Sequence, residues 1–379
     1  MRPDTVLVHA GEPRPREGGA VAMPIYQSST FEETEGRGYH DIRYARLSNT
    51  PSHDALHAKL AALEGAEAAL ATASGMAAVS ATLFSLLRAG DHLIAQDGLY
   101  GGTHDLMTRD LPRLGIEVSF VSGDDPAAWA RAATPRTRVF YCEAITNPLL
   151  RVADLPAIAR FARERGLVSV IDNTFATPLG FHPLHHGFSL AVHSATKYLN
   201  GHSDLIAGAV VGPADRVREV KKTLDHLGGS LDPHACFLLQ RGMKTLGVRF
   251  RQQCATALSV AGFLESQSAV ARVNHPGLPS HPQHARAREL FAYSGAMISF
   301  ELRGGADAAE RMFKRLQLPI HAPSLGGPET LVTRPAATSH AGLTAEERAR
   351  IGISEGLVRV SIGLEAPEDL IEDFGSALG

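Results

Sequence analysis

Between about residues 54 and 212 the chain alternates short apolar runs with longer amphipathic stretches, and this alternation constrains the fold more than any other feature. The runs are AALATAS, HLIAQ, EVSFVS, RVFYCEA, VSVIDN, LAVHS and AGAVVG, and segments such as MAAVSATLFSLLR and DLPAIARFARERG lie between them. Near-continuous apolar strands separated by helical segments predict a mostly parallel sheet covered on both faces, an α/β domain. DALHAKLAALEG, with Gly65 near its stop, reads as a helix ahead of the first strand. A long helical region from Pro233 through about Leu264 leads to the last third. There AVARVN, AMISFEL and LVRVSIGLE read as strands, with helices at about 284–293, 306–316 and 367–378, and Thr344 with Glu347 fits a capping box. That order predicts a smaller α+β C-terminal domain. The first fifty residues are punctuated by Pro3, Pro13, Pro15, Pro24 and Pro51 and by Gly11, Gly18, Gly19, Gly36 and Gly38. They read as an irregular arm, either packed on a neighbouring subunit or a mobile terminus. The expected division is an arm over 1–53, a large domain over 54–245 and a small domain over 246–379.

A length of 379 residues allows two or three domains. The net charge of -3 lacks the basic excess of a nucleic-acid binder. No run of about 18 apolar residues predicts a membrane span, and charge and proline stand where the apolar core of a secretory leader would be. Cys142, Cys236 and Cys254 are odd in number and widely spaced, which predicts neither a disulfide framework nor a thiolate zinc site. A cytoplasmic location is expected. G-x-x-x-x-G-K-[ST], G-x-S-x-G and H-E-x-x-H are all absent. The histidines of HPLHH, at 182–186, lie in a Pro-interrupted loop rather than on a helix that would align an i,i+4 pair, and no carboxylate is nearby in sequence, so they read as surface residues and no metal is expected.

The informative stretch is AVHSATKYLNGHSD, Ala191–Asp204. Lys197 lies just past a strand end, where ligands collect in α/β sheets. Partial desolvation would lower its pKa and let the amine form a Schiff base with an aldehyde. Ser194 and Thr196 are nearby hydroxyls able to meet a phosphate. Asp172 ends the apolar strand VSVID, where a carboxylate is costly unless paired, and a protonated pyridine nitrogen is a suitable partner. At Ser74-Gly75-Met76 a strand turns into a helix, whose first N–H groups attract phosphate. Each feature alone has a plainer reading: a solvated lysine, an N-cap, a turn.

Together these residues closely resemble the lysine signature of the Cys/Met-metabolism family of enzymes that use pyridoxal 5'-phosphate (PLP), a resemblance running from PIYQSSTF near residue 24 to ISEGLVRVSIGLE ending at 365. The family includes cystathionine γ-lyase, cystathionine β-lyase, cystathionine γ-synthase, methionine γ-lyase and the homoserine-ester sulfhydrylases. The resemblance implies the aspartate aminotransferase-like fold (fold type I) of PLP-dependent transferases. It implies that Lys197 bonds the cofactor aldehyde and then shuttles protons, while Asp172 pairs with the pyridine nitrogen and Tyr100 stacks on the ring. It further implies that Gly75, Met76, Ser194 and Thr196 hold the phosphate. Tyr44 and Arg46 match a pair that reaches the phosphate of the adjacent subunit, with Ala45 between them where the family usually has Ser. Arg359 and Ser324 match contacts to the substrate α-carboxylate, and Asn147 a residue near the phenolic oxygen. A homotetramer, a dimer of dimers with shared sites, is expected on the same ground.

The chain departs from the cystathionine γ-lyase pattern at three positions that face the distal end of the substrate. Arg43 and Pro323 stand where Glu is common, and Asp105 stands where Arg is. Three readings stand open: Arg43 and Asp105 meet a zwitterionic distal end in exchanged roles, the pocket suits another γ-substituted amino acid, or the two are solvated and pair with each other. Gly101 occupies the position of the reactive Cys of methionine γ-lyases, although ISEGLVRVSIGLE is close to that subgroup. The expected activity is α,γ-elimination of cystathionine to cysteine, 2-oxobutyrate and ammonia. The alternatives are γ-replacement on an O-acylhomoserine, methionine γ-cleavage, or an inert scaffold that keeps the fold. The intact set Lys197, Asp172, Tyr100 and Arg359 argues against the scaffold.

Overall fold

The computed structural model describes residues 1–32, 38–39, 42–338, 341–342 and 344–379; Gly36 of the expected arm lies outside them. Seven strands form the first sheet: β1 (Ala68–Thr72), β2 (His92–Gln96), β3 (Glu117–Val121), β4 (Thr137–Glu143), β5 (Val168–Asp172), β6 (Leu190–His193) and β7 (Gly208–Gly212). Their order is β1-β7-β6-β5-β4-β2-β3. Only β7 runs against its neighbours, β1 and β6; every other pairing is parallel. This is the mixed, mostly parallel sheet that the apolar runs predict. Because β1 through β6 share one direction, the loops at their C-terminal ends open on the same side, where ligands bind in such sheets.

Helices cover both faces. Helix α1 (Pro3–His9) and helix α2 (Pro51–Glu64) pack on one face. Thr50 caps α2 by accepting from the His53 N–H, Pro51 sits at its first turn, and Gly65 ends it at φ 66. Helix α3 (Gly75–Leu86) and helix α4 (Ala214–Leu227) lie on the opposite face, where Val79, Leu83, Val217, Val220 and Leu224 bury against Leu70, Leu93, Val170, Val192 and Val210. The arm is therefore not wholly irregular: the short helix α1 inserts Val6 and Leu7 into the core.

The long helical region divides into α5 (Pro233–Met243) and α6 (Leu246–Glu265), with Lys244 and Thr245 between them. Periodicity alone could not find this break, because both halves carry an apolar face. The second sheet comprises β8 (Val270–Asn274), β9 (Met297–Leu302), β10 (Ile320–His321), β11 (Leu331–Thr333) and β12 (Leu357–Ser361), in the order β10-β11-β12-β9-β8 and antiparallel except for β10–β11. Helices α7 (His284–Leu290), α8 (Gly305–Arg315), α9 (Ala345–Ile351) and α10 (Pro367–Leu378) accompany it, and the Thr344–Glu347 capping box is present at α9. Apolar side chains of α6, β9, β12 and α10 join those of α1 and α2 in one continuous core, so the second sheet is locked to the first. We propose the chain's division after residue 245, in the break between α5 and α6.

Candidate active site

The loops after β1, β2, β4, β5 and β6 converge with the second sheet on a cavity of about 750 Å³. Gly75, Met76, Tyr100, Asp105, Asn147, Asp172, Ser194, Thr196, Lys197, Ser324 and Arg359 all line it. Residues as far apart in sequence as Ser74 and Arg359 thus line one cavity.

Lys197 follows β6 and donates from Nζ to Ser324 Oγ at 2.7 Å. Burial, and then the positive charge of Arg359, lower its pKa to about 8. Ser324 is held at φ 93, a left-handed conformation costly for a residue with a Cβ. Strain of about 1–3 kcal/mol persists where surrounding contacts over-determine it, and Ser324 meets Lys197 through its hydroxyl and Arg359 through its carbonyl.

Arg359, on β12, is 5% exposed. Nη1 donates to Asn147 Oδ1 at 3.2 Å and Nη2 to the Ser324 carbonyl at 3.0 Å. Its Nε is buried without a partner, and among the described residues no carboxylate pairs with it. Burial lowers its pKa to about 10. A guanidinium removed from water with only neutral acceptors is a site built for an anion.

Asp172 closes β5, and its Oδ1 accepts the Thr174 N–H at 2.9 Å. Burial raises its pKa, while Thr174 and His193 oppose the rise. No Lys or Arg pairs with it among the described residues, so a cation in the cavity would be its natural counterion.

Ser74 caps α3 by accepting from the Ala77 N–H at 3.0 Å, which leaves the first N–H groups of a twelve-residue helix at the cavity wall. Gly75 is required there: a Cβ would lie 2.8 Å from Ser194 Cβ. The Thr196 hydroxyl is already engaged with the backbone, donating to Ala207 O at 3.1 Å and accepting from Ala207 N at 2.9 Å.

Tyr44, Arg46 and Arg43 are not brought to this cavity. Arg46 donates to the Asp225 carbonyl and to Tyr39 Oη, both at 2.6 Å. Arg43 pairs with Asp54 at 3.2 Å, and Asp105 with Arg109 at 3.6 Å. The pairing of Arg43 with Asp105 considered above is therefore corrected: Arg43 reaches Asp54 in the first turn of α2, and Asp105 reaches Arg109 four residues on. The histidine loop is also corrected in part. His185 and His186 are exposed, but His182 is half-buried, with Nδ1 4.0 Å from the Glu64 carboxylate of α2. Among the described residues no group of three or more His, Cys, Asp or Glu side chains could hold a metal ion.

Sequence reasoning missed Glu143, Thr174, Phe175 and Thr338, which also line the cavity. Glu143 had a signal, since it ends an apolar run in the same way as Asp172 does. A second cavity of about 390 Å³ adjoins the first through Gly101, Asp105 and Gly342 and is lined by Asp97, His104, Glu347 and Arg350.

Residues 4–379 match the family described as Cys/Met metabolism PLP-dependent enzyme. The chain belongs to that family. An L-methionine gamma-lyase of Pseudomonas putida is 43% identical over 99% of this chain and 96% of its own. A cystathionine gamma-lyase of Bacillus subtilis (strain 168) is 40% identical over 100% of this chain and 99% of its own. The solved cystathionine gamma-lyase of Lactobacillus plantarum, complexed with L-serine, superimposes with a TM-score of 0.94 at 38% identity, covering 100% of this chain and 98% of that one. As a member of the Cys/Met-metabolism family, the chain is a PLP-dependent carbon–sulfur lyase of the trans-sulfuration type. Its own residues fit that cofactor: a glycine cradle at a helix start, a buried carboxylate without a cationic partner and a desolvated lysine surround a cavity of sufficient size.

Proposed function

We propose that this lyase cleaves the Cγ–S bond of cystathionine, releasing cysteine, 2-oxobutyrate and ammonia. The observation that carries an amino-acid substrate is Arg359, a buried guanidinium with an unpartnered Nε, on the same cavity wall as Lys197. Arg359 takes the α-carboxylate, and the Asn147 and Ser324 contacts fix its plane. Gly75, Met76, Ser194 and Thr196 would hold the cofactor phosphate, Thr196 by turning its proton away from Ala207. Tyr100 would face the ring, and Asp172 as an anion would keep the pyridine nitrogen protonated. When bound, PLP supplies an electron sink for the pair released at the substrate Cα. Lys197, with a pKa near 8, is neutral in about a tenth of molecules at pH 7, far more than an ordinary lysine. It takes the proton from Cα and then shuttles the protons whose loss from Cβ expels the sulfur at Cγ.

Cystathionine is favoured over methionine by the second cavity. Asp97, Asp105, Glu347 and Arg350 offer both signs of charge beyond Gly101, chemistry suited to a distal ammonium and carboxylate rather than a methyl group. Methionine γ-cleavage is the second reading, favoured by relatives of that name at 43% identity. We further propose that Tyr44 and Arg46 complete the phosphate site of a second copy, within a homotetramer. The deciding experiment offers the holoenzyme cystathionine, methionine, and O-succinylhomoserine plus cysteine. Cysteine with 2-oxobutyrate is expected. Methanethiol with 2-oxobutyrate as the faster reaction, pyruvate with homocysteine, or net synthesis of cystathionine would replace this substrate assignment.

A further inference from the structure

Glu143 ends β4 directly opposite Asp172 in the β4–β5 register, and both line the cavity. It is 5% exposed. Its Oε1 accepts the Tyr100 N–H at 2.6 Å, and its Oε2 accepts the Asn147 N–H at 3.3 Å. Those amides belong to two different loops, one after β2 and one after β4. Asn147 in turn accepts from Arg359 at 3.2 Å. The Glu143 N–H donates to Gln96 Oε1 at 3.0 Å, which ties the end of β4 to the end of β2.

One carboxyl group therefore links the loop of the ring-facing tyrosine to the loop that holds the substrate-clamping arginine. Removing it would strand two N–H donors in the cavity wall, the Asn147 one buried and the Tyr100 one part-buried, and a stranded buried donor costs its desolvation. The position is an expensive one for a charge. Burial, and then Asp172 on β5, push the Glu143 pKa well up, while the Tyr100 and Asn147 amides oppose the rise; Tyr141 and Cys142 are its titratable neighbours on β4. Two anions in register would repel each other, and Asp172 is the one that a protonated pyridine needs.

We propose that Glu143 is a positioning residue that fixes Tyr100 and the Asn147–Arg359 pair in one frame, and that it acts through its accepting oxygens rather than through a negative charge. The roles of Tyr100 and Arg359 rest on the reading above; the frame itself is tested without turnover. Wild type, Glu143→Ala and Glu143→Gln are compared by amide hydrogen exchange over 97–103 and 145–150, before and after loading with PLP. Glycine affinity is then read from the visible absorbance of the loaded protein. In Glu143→Ala, exchange at Tyr100 and Asn147 should quicken about tenfold or more while the β4 interior is unchanged, and glycine should bind about tenfold more weakly. Glu143→Gln keeps one accepting oxygen and turns its NH2 toward the other amide, so exchange should stay within about threefold of wild type at one of Tyr100 and Asn147 and quicken at the other, with glycine affinity within about threefold. Unchanged exchange in Glu143→Ala would overturn the frame. A Gln variant as impaired as the Ala variant would overturn the neutral role. If Glu143→Ala does not fold, Glu143→Asp takes its place. Its shorter reach should free the Asn147 amide, and unaltered exchange there would equally refute the proposal. Failure of the substrate reading shows separately, as glycine affinity that is indifferent to Arg359→Ala.

Discussion

The cavity wall and the arm make opposite uses of the same kinds of residue. In the cavity, Lys197, Asp172 and Arg359 are polar groups held away from water with fewer partners than their charge requires. In the arm, Arg46 and Arg43 are satisfied: Arg46 by the Asp225 carbonyl and Tyr39, Arg43 by Asp54. Unmet polar demand in a cavity wall marks where a ligand binds, whereas the arm's polar groups already have partners in their own chain, which a second copy's phosphate would have to displace. The difference also separates what one chain assembles alone from what a second copy would have to add.

The comparison breaks most visibly at Lys197. Lys197→Ala should abolish turnover, by roughly 10³-fold or more given what a positioned base contributes, together with the cofactor's visible band. Retained elimination would remove Lys197 from the mechanism. Arg359→Ala should weaken amino-acid binding by about 2–5 kcal/mol, the range for truncating one member of a buried charge pair, with PLP still bound. A titration with glycine measures this, and unchanged affinity would move the carboxylate site elsewhere. Uptake of PLP by the cofactor-free chain should follow the neutral amine of Lys197. Its pKa is about 8, so uptake should rise about tenfold per pH unit below 8 and level off above it. Stopped-flow absorbance gives the profile, and a plateau reached only near pH 10 would mean that the lysine is not desolvated. Arg46→Ala should loosen PLP by roughly tenfold or more, the scale of a hydrogen bond to a charged group. Mixed with Lys197→Ala subunits, it should regain activity in the one intact site of each hybrid pair. No recovery on mixing would place the Arg46 contact within its own chain. The smallest effect belongs to Arg43→Ala. Its pair with Asp54 is exposed, so thermal stability should change by less than about 1 kcal/mol. A larger loss would mean that the arm is held by this pair.

Much of this contrast was legible in residue order. Asp172 at the end of VSVID and Lys197 just past LAVHS were marked by chemistry at the ends of apolar strands, and both line the cavity. Glu143 at the end of RVFYCE carries the same mark, but its importance lies in two backbone amides that no sequence pattern displays. The break at Lys244–Thr245 was hidden because α5 and α6 both present apolar faces. The partners of Arg43 and Asp105 were hidden for another reason. Each has a carboxylate or guanidinium nearby along its own segment, and whether a side chain turns to it depends on local geometry.

By itself, the sequence determined the alternation of strands and helices and the chemistry available at the strand ends. Apolar periodicity and N-capping act over a few residues and are written in residue order. Tertiary structure alone decided that β12 delivers Arg359 beside Lys197, that Ser324 bridges the two, and that Glu143 ties separate loops together. Those contacts join positions far apart in the chain. They form only when two sheets bury a common core, and the free energy of that burial fixes polar groups where water would otherwise have satisfied them.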